Sequence, residues 1–274
     1  MNEKFRAEPA HLTPILVSLF VGFLCTVLII ESQTNLYQVV PFSEGIGSLG
    51  NGLYFVILAA VGAFLLYLLA RRNRLRVIAV ITGFAITAAT LLVSAVYLNA
   101  LFSIYYVPYD TFLIIVVPLA LTVLADYEVF RGKGIGNVLT LLLLGGSLGA
   151  FLGATIPTLS AIVILSFLAI YDVYAVFKGP VGKIAAGGLE QLRGLSVSFK
   201  DVQIGLGDLT FYAMLTSLVL FATASPIFYA ASLTGVIIGA FLAFKLLEKK
   251  GMFPGLPFSV ALGLTPLIVW LLLQ

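Results

Sequence analysis

Long apolar stretches, almost free of charge, constrain the fold of this chain more than any other feature. Nine such stretches can be drawn, and a helix needs about 20 apolar residues to cross a bilayer. They cover residues 12–30, 52–70, 77–98, 110–127, 135–154, 157–177, 204–223, 227–244 and 256–273. The chain is 61% hydrophobic and 10% charged, and it lacks the alternating ten-residue segments of a membrane β-barrel. We predict an all-α polytopic membrane protein with nine transmembrane helices.

The positive charges predict the orientation of these spans. All fifteen lysines and arginines fall in the N-terminal tail or in connections on the same side of the proposed membrane. Because cytoplasmic loops carry the excess of Lys and Arg, we expect a cytoplasmic N-terminus and an extracytoplasmic C-terminus. The first stretch is interpreted as a span, since no small-residue cleavage site of a signal peptide follows it. The net charge of +3 reflects this topology and gives no support for nucleic-acid binding.

The scarcity of cysteine and histidine excludes several kinds of chemistry. The chain has one cysteine, Cys25, and one histidine, His11. A single thiol cannot form an internal disulfide, and one thiol with one imidazole cannot complete a zinc site. Catalysis by a Ser-His-Asp or Cys-His arrangement has almost no support either. We expect no metal and no cofactor.

Two aspartates lie inside predicted spans. Asp172 precedes Lys178 by six residues, which places it about 9 Å below the cytoplasmic end of the sixth helix. Asp208 lies just after the start of the seventh span, which returns from the same side. Both carboxylates therefore reach a similar depth, and because consecutive helices often pack together, they can face each other. By contrast, Asp126 and Glu128 are interpreted as solvated or paired residues at the end of the fourth span.

The pair Asp172 and Asp208 has three possible uses. An ionisable side chain at this depth is costly and marks a candidate functional site. Two facing carboxylates cannot both ionise cheaply, and such a pair activates water in aspartic proteases without a metal or cofactor. Intramembrane acids also serve as ion or proton sites in transporters and channels, or make a purely structural polar contact. The two aspartates alone leave these interpretations open.

Three motifs in order along the last four spans resemble the presenilin and signal-peptide-peptidase family of GxGD intramembrane aspartyl proteases. They are "YD" at 171–172, "GLGD" at 205–208 and "FPGLPFS" at 253–259, where the family carries Pro-Ala-Leu-Pro. Each motif is weak alone, but the ordered set is specific. The predicted orientation resembles presenilin rather than signal peptide peptidase, and the short chain looks most like an archaeal presenilin homologue.

The resemblance implies a role for the residues of the first two motifs. Asp172 and Asp208 match the two catalytic aspartates, Tyr171 matches the tyrosine before the first, and Gly205 and Gly207 match the GxGD glycines. Because glycine has no Cβ, another backbone can approach Asp208 closely. Ordinary small-residue helix packing is the alternative explanation for the glycines.

The third motif is matched at three of its four positions. Pro254, Leu256 and Pro257 agree with Pro-Ala-Leu-Pro, and Gly255 replaces the alanine, a small-for-small change that we expect to keep the close approach. By the same resemblance, this backbone helps to hold a substrate as an extended strand. Proline cannot donate a backbone hydrogen bond, so the segment is either irregular or simply marks a helix start.

The spans divide the chain into two predicted regions. Residues 1–155 form an N-terminal membrane region with spans one to five. Residues 156–274 form a catalytic membrane region with spans six to nine, including a flexible cytoplasmic loop at about 179–203 that contains five glycines and a proline.

The i, i+3, i+7 spacing of Gly205, Asp208 and Tyr212 predicts that these three residues share one face of the seventh helix.

The predicted function is that of an intramembrane aspartyl endopeptidase, which cleaves transmembrane segments of single-span membrane proteins by attack of a water activated by Asp172 and Asp208. Its partners are then these substrates and the lipid bilayer, with no nucleic acid and no prediction of oligomeric state. Its location is an archaeal cell membrane, or an endoplasmic-reticulum-type membrane if the source is eukaryotic. The alternatives are a secondary transporter or channel that uses the same aspartates, although no internal repeat is evident, and a catalytically idle scaffold.

Overall fold

The computed structural model describes residues 6–105, 111–132, 134–179 and 194–274. In these residues the chain forms nine α-helices, and a short 3-10 turn at Pro9–Leu12 precedes the first. In chain order they are α1 (Thr13–Ser32), α2 (Gly47–Arg71), α3 (Leu75–Ile104), α4 (Thr111–Phe130), α5 (Ile135–Thr155), α6 (Thr158–Phe177), α7 (Leu206–Thr223), α8 (Pro226–Lys250) and α9 (Leu256–Leu272).

The helices confirm the polytopic membrane fold. Within the described residues, α1 to α8 are long and apolar enough to cross a membrane by length and composition. Helix α9 has 17 residues, which span about 26 Å at 1.5 Å per residue and fall slightly short of a bilayer core of about 30 Å. The ninth span and the orientation of the termini therefore stay predictions.

A β-hairpin precedes α7, where the sequence predicts only loop and helix. Strand β1 (Ser196–Phe199) pairs antiparallel with β2 (Val202–Gly205), and Val197 lies opposite Ile204. Both of these side chains are buried, so the hairpin turns one apolar face inward, as a period of two requires. The all-α fold class is confirmed, and the hairpin is a local addition that the sequence did not predict, because four-residue strands give too short an alternation. Residues 180–193 of the predicted flexible loop lie outside the described residues.

Helix α7 lies at the centre of the bundle. It packs against α1, α5, α8 and α9, and its contact with α5 is the most extensive between any two helices. Glycines on α5 allow this approach: a Cβ at Gly149 would lie 2.5 Å from the Thr210 carbonyl oxygen, and one at Gly153 would lie 2.9 Å from that of Met214. Small residues of this kind let helix backbones pack closely in membranes. This contact crosses the predicted boundary at residue 155, and the division into two regions stays a prediction.

Helix α2 lies at the edge and packs mainly on α6. Its buried residues are confined to its first turns, at Ser48, Asn51 and Gly52. The Asn51 side chain accepts the N–H of Phe42 at 3.0 Å and donates to the Phe42 carbonyl and the Ser160 hydroxyl, both at 2.9 Å. A buried polar cluster therefore attaches one end of α2 to α6.

Candidate active site

The two aspartates lie at the ends of α6 and α7 that approach each other. Asp172 is five residues before Phe177, the last residue of α6, and Asp208 lies in the first turn of α7. Both side chains are partly buried, and Asp208 is within electrostatic range of Asp172. The structure thus brings the two acids to one site. In the part of the chain that the structure describes, no group of three or more His, Cys, Asp or Glu side chains is arranged to hold a metal ion.

The start of α9 connects the two acids. Among the described residues, α6 makes little direct contact with α7, and α9 packs on both. The N–H of Leu256 donates to Asp172 Oδ2 at 3.1 Å, and the N–H of Gly255 also faces this carboxylate. On the other side, a Cβ at Gly255 would lie 2.9 Å from Asp208 Oδ2. The sequence predicts that α6 and α7 pack side by side and so bring the two acids together. In the structure, both acids instead contact one segment of α9.

The peptide group between Gly255 and Leu256 has both of its polar atoms engaged. Its N–H donates to Asp172, and its carbonyl oxygen accepts the Tyr212 hydroxyl at 2.9 Å. The Ser259 hydroxyl donates to the same oxygen at a longer 3.5 Å. The first N–H groups of a helix have no partner within the helix, and a negative group stabilises that end. Asp172 therefore caps α9 from a different helix.

Position 255 lies so close to the Asp208 and Tyr212 side chains that little room is left for a side chain there. A methyl group there would lie 2.9 Å from Asp208 Oδ2 and 3.1 Å from the Tyr212 hydroxyl oxygen. The first distance is shorter than real Cβ contacts and the second is unusually tight. A side chain at position 255 would therefore require a shift of the Asp208 carboxylate.

Gly205 occupies a different place from the one predicted. It is the last residue of β2, with extended backbone (φ −63°, ψ 139°), because the hairpin continues through a 2.9 Å hydrogen bond from Leu206 N–H to the Leu195 carbonyl. The prediction that it shares a face of α7 with Asp208 and Tyr212 is wrong. It still lies beside the acid, since a Cβ there would be 3.6 Å from Asp208 Oδ2.

Gly207 and Tyr171 flank the two aspartates in sequence. Gly207 is exposed, and the nearest atom to a Cβ at this position would be Phe211 Cε2 at 3.9 Å. Open space thus lies next to Asp208 on this side. Tyr171 precedes Asp172 on α6 and is partly buried.

The prolines of the third motif mark the start of α9. Pro254 is buried and precedes the helix, Leu256 is its buried first residue, and Pro257 lies in its first turn. The backbone is non-helical at 252–254 and helical from Leu256 onward. Pro257 is thus a helix-start proline, and the irregular segment ends just before it.

An aromatic cluster that the motifs did not predict flanks the same segment. Phe253 packs edge-on against Phe177 of α6, with ring centroids 6.1 Å apart, and stacks on Phe258 of α9 at 5.7 Å. Lys250 Nζ lies 5.8 Å from the centroids of both Phe177 and Phe253. The only sequence signal was the phenylalanine on either side of Pro-Gly-Leu-Pro.

A third acid, Asp126, is enclosed between helices rather than solvated at the end of α4. Its Oδ2 accepts the Thr87 hydroxyl of α3 at 2.7 Å, and its buried Oδ1 has no hydrogen-bond partner among the described residues. Asp126 is thus a paired residue, as one of the two interpretations holds, but its partner is a hydroxyl on α3. This partner lies 39 residues earlier in the chain, where a local pattern cannot reveal it.

An apolar cavity of about 300 Å³ extends to the start of α7. Its walls come from α2, α3 and α5 and from Gly194 to Leu195, and Leu206 closes it next to the hairpin. Leu206 is two residues before Asp208, so the cavity ends close to the candidate site. Its lining suits apolar side chains.

Comparison with solved structures identifies the fold. A presenilin-family intramembrane aspartate protease in space group C222 matches with a TM-score of 0.67 and 20% identity, over 96% of this chain and 99% of that one. The same kind of protease in space group P2 matches with a TM-score of 0.63 and 20% identity, over 96% and 98% of the two chains. No family model matches the chain, and no curated protein matches it either. The chain has the presenilin-family fold, which confirms the fold expected from the three motifs.

Proposed function

We propose that this chain is an intramembrane aspartyl endopeptidase that cleaves transmembrane segments of single-span membrane proteins. One observation carries the proposal: Asp172 and Asp208, on two helices of a presenilin-type fold, meet at a single segment of α9. The transporter alternative loses support because the matched fold is that of a protease. In this proposal the motif "YD" supplies Asp172 and the motif "GLGD" supplies Asp208.

The pair of acids performs hydrolysis by sharing a proton. The ionised carboxylate takes a proton from water as the water oxygen attacks the scissile carbonyl carbon. The protonated partner donates to the carbonyl oxygen, which gives a tetrahedral intermediate. Collapse of this intermediate breaks the C–N bond, and the leaving amine receives the proton taken from water. One hydroxyl of the intermediate returns its proton to the carboxylate that had donated one, which restores the starting pair and leaves a carboxylic acid. Asp172 and Asp208 supply both functions between them.

A substrate helix must be unwound locally before this attack, since its peptide bonds are enclosed in intrahelical hydrogen bonds. The β-hairpin provides a strand edge on which the unwound segment can bind. Among the described residues β2 pairs only with β1, and it leads directly to Asp208. A free strand edge binds an extended peptide through main-chain hydrogen bonds. The proposed substrate contacts are Tyr171, Gly205, Gly207, Pro254, Gly255, Leu256 and Pro257.

The proposed setting of the enzyme follows from its charges and composition. The N-terminus is cytoplasmic and water reaches the acids from the cytoplasmic side, because every lysine and arginine lies on that side of the predicted spans. The proposed location is an archaeal cell membrane. The partners are single-span substrates and lipid.

The test is cleavage of a single-span substrate by the purified chain in lipid vesicles. Asp172→Asn and Asp208→Asn should each abolish cleavage, because neither amide can take part in the proton exchange. Asp126→Asn is the matched control: it alters a partly buried acid on α4 and should keep cleavage within about twofold, since Asp126 contacts Thr87 rather than the site. Thermal unfolding of each purified variant shows that the fold is retained.

Robust cleavage by folded Asp172→Asn or Asp208→Asn would contradict the proposal. The same vesicles separate the two classes of function. Proton or solute flux without peptide hydrolysis, lost in both variants, would favour transport. Inhibition by an aspartyl-protease transition-state analogue would support the endopeptidase.

A further inference from the structure

Tyr212 lies one helical turn after Asp208, yet its hydroxyl group is directed to the segment that contacts Asp172. The side chain is 2% exposed, and its hydroxyl donates to the Gly255 carbonyl at 2.9 Å. This carbonyl belongs to the same peptide group as the Leu256 N–H, which donates to Asp172 Oδ2 at 3.1 Å. A tyrosine of α7 is therefore joined through one peptide group to the acid of α6.

Hydrogen bonds at the two ends of a peptide group reinforce each other. A donor at the carbonyl oxygen polarises the group and makes its N–H a stronger donor, by about 10–30% per bond. Hydrogen bonds to a carboxylate are also stronger and more directional than those between neutral groups. The Tyr212 bond thus both orients the Leu256 N–H and strengthens its contact with Asp172.

We propose that Tyr212 is a positioning residue for Asp172, acting through the Gly255–Leu256 peptide; this rests on the proposed protease function. The chain offers little other connection between the two acids, because α6 and α7 make little direct contact within the described residues. Gly255 permits the arrangement, since any side chain there would contact both Asp208 and the Tyr212 hydroxyl. Ser259 is a weaker second donor to the same carbonyl, at 3.5 Å.

The matched control is the other tyrosine that makes the same kind of bond. The Tyr97 hydroxyl donates to the Ser147 carbonyl at 2.7 Å, and this side chain is 9% exposed. Tyr212→Phe and Tyr97→Phe each remove one buried hydroxyl-to-carbonyl bond. Each hydroxyl also has one side-chain partner, Ser259 for Tyr212 and Cys25 for Tyr97, so the two variants stay matched. A purely structural role predicts equal effects of the two substitutions, whereas a positioning role predicts loss of catalysis in only one.

The experiment measures kcat and KM for cleavage of a single-span substrate in vesicles, with thermal unfolding of each variant. Tyr212→Phe should lower kcat about 10- to 100-fold with KM changed by less than about twofold, since the bond acts on an acid rather than on substrate binding. Tyr97→Phe should keep kcat within about twofold. Ser259→Ala should have little effect alone and a larger one in the Tyr212→Phe background, because the two hydroxyls share one acceptor.

A conservative replacement keeps the test decisive if Tyr212→Phe does not fold. 4-Aminophenylalanine at position 212 keeps the ring and has a weaker N–H donor. The kcat of this variant should lie between those of the wild type and Tyr212→Phe. If Tyr212→Phe cannot be measured, it should simply lie below that of the wild type. Three results would overturn the inference: an unchanged kcat in folded Tyr212→Phe, a rise in KM alone in that variant, or an equal loss of kcat in Tyr97→Phe. If Tyr212→Phe does not fold, full kcat with 4-aminophenylalanine at position 212 would overturn it instead. If Asp172→Asn still cleaves, the proposed function fails instead, whatever Tyr212→Phe does.

Discussion

Helices α7 and α2 are both long and apolar, but they have opposite surroundings. More than half of the most apolar stretch of α7 is buried, while none of that stretch of α2 is buried against the described part of the chain. The more buried helix is also the less hydrophobic of the two. In a bilayer, lipid tails solvate leucine and phenylalanine as well as a protein core does, so hydrophobicity does not select the helix that is buried.

The buried helix is selected by small and polar residues. Thr210, Thr216 and Ser217 of α7 are all buried, and the glycines of α5 pack directly on its backbone. This packing fixes the helix that carries Asp208. Helix α2 is attached at one end by Asn51, and about one turn in its second half, at 62–66, lines the apolar cavity. The helices around the candidate site thus differ: α7 is tightly packed on α5, and α2 is loosely packed.

The largest expected effect comes from the α5–α7 contact. Gly149→Ala places a methyl group 2.5 Å from the Thr210 carbonyl oxygen and from the Ala213 Cβ, so the two helices must separate. Overpacking of this kind costs about 1–3 kcal/mol, and rigid backbone on both sides favours the upper end. We expect a clear fall in the thermal unfolding temperature in detergent, together with loss of cleavage. Wild-type stability would show that α7 is not held as tightly as the distances indicate.

A smaller effect is expected where α2 is attached. Asn51→Ala removes the hydrogen bonds to Phe42 and Ser160 and should cost about 1–3 kcal/mol, reduced to the extent that water replaces the lost partner. Helix α2 carries no aspartate, and it lines the apolar cavity that ends close to the candidate site. We therefore expect the loss to alter substrate access, and with it KM, more than kcat. Kinetics in vesicles and thermal unfolding measure the two quantities.

Asn137→Ala is the control for Asn51→Ala. The Asn137 side chain donates to the Val129 carbonyl at 2.9 Å and holds the end of α4. Its loss removes a similar asparagine-to-backbone bond but leaves α2 attached, so KM should stay near that of the wild type. An Asn51→Ala variant that loses kcat and keeps KM would mean that α2 acts on the acids rather than on access to them.

The sequence predicts the helices well and their partners poorly, for a physical reason. Apolar length and the positions of Lys and Arg determine where a span begins and ends, so Asp172 and Asp208 could be placed at one depth. Packing in a bilayer depends on which small or polar residues meet, and the bond from Thr87 to Asp126 joins distant segments. The position of Gly255 between the two acids likewise depends on how α6, α7 and α9 pack together. The hairpin was missed because four-residue strands give too short a pattern.

The smallest expected effect, with the opposite sign, belongs to Gly62→Ala in the middle of α2. Apart from the adjoining backbone of α2 itself, no described atom lies within 4 Å of a Cβ at this position. Alanine is also a better helix former than glycine by up to about 1 kcal/mol in water. The unfolding temperature should therefore stay the same or rise slightly, and kcat and KM should stay within about twofold. The same substitution, glycine to alanine, would then destabilise the chain at Gly149 and not at Gly62. A fall in stability at Gly62 would show that α2 packs as closely as α7, and the contrast between the two helices would be wrong.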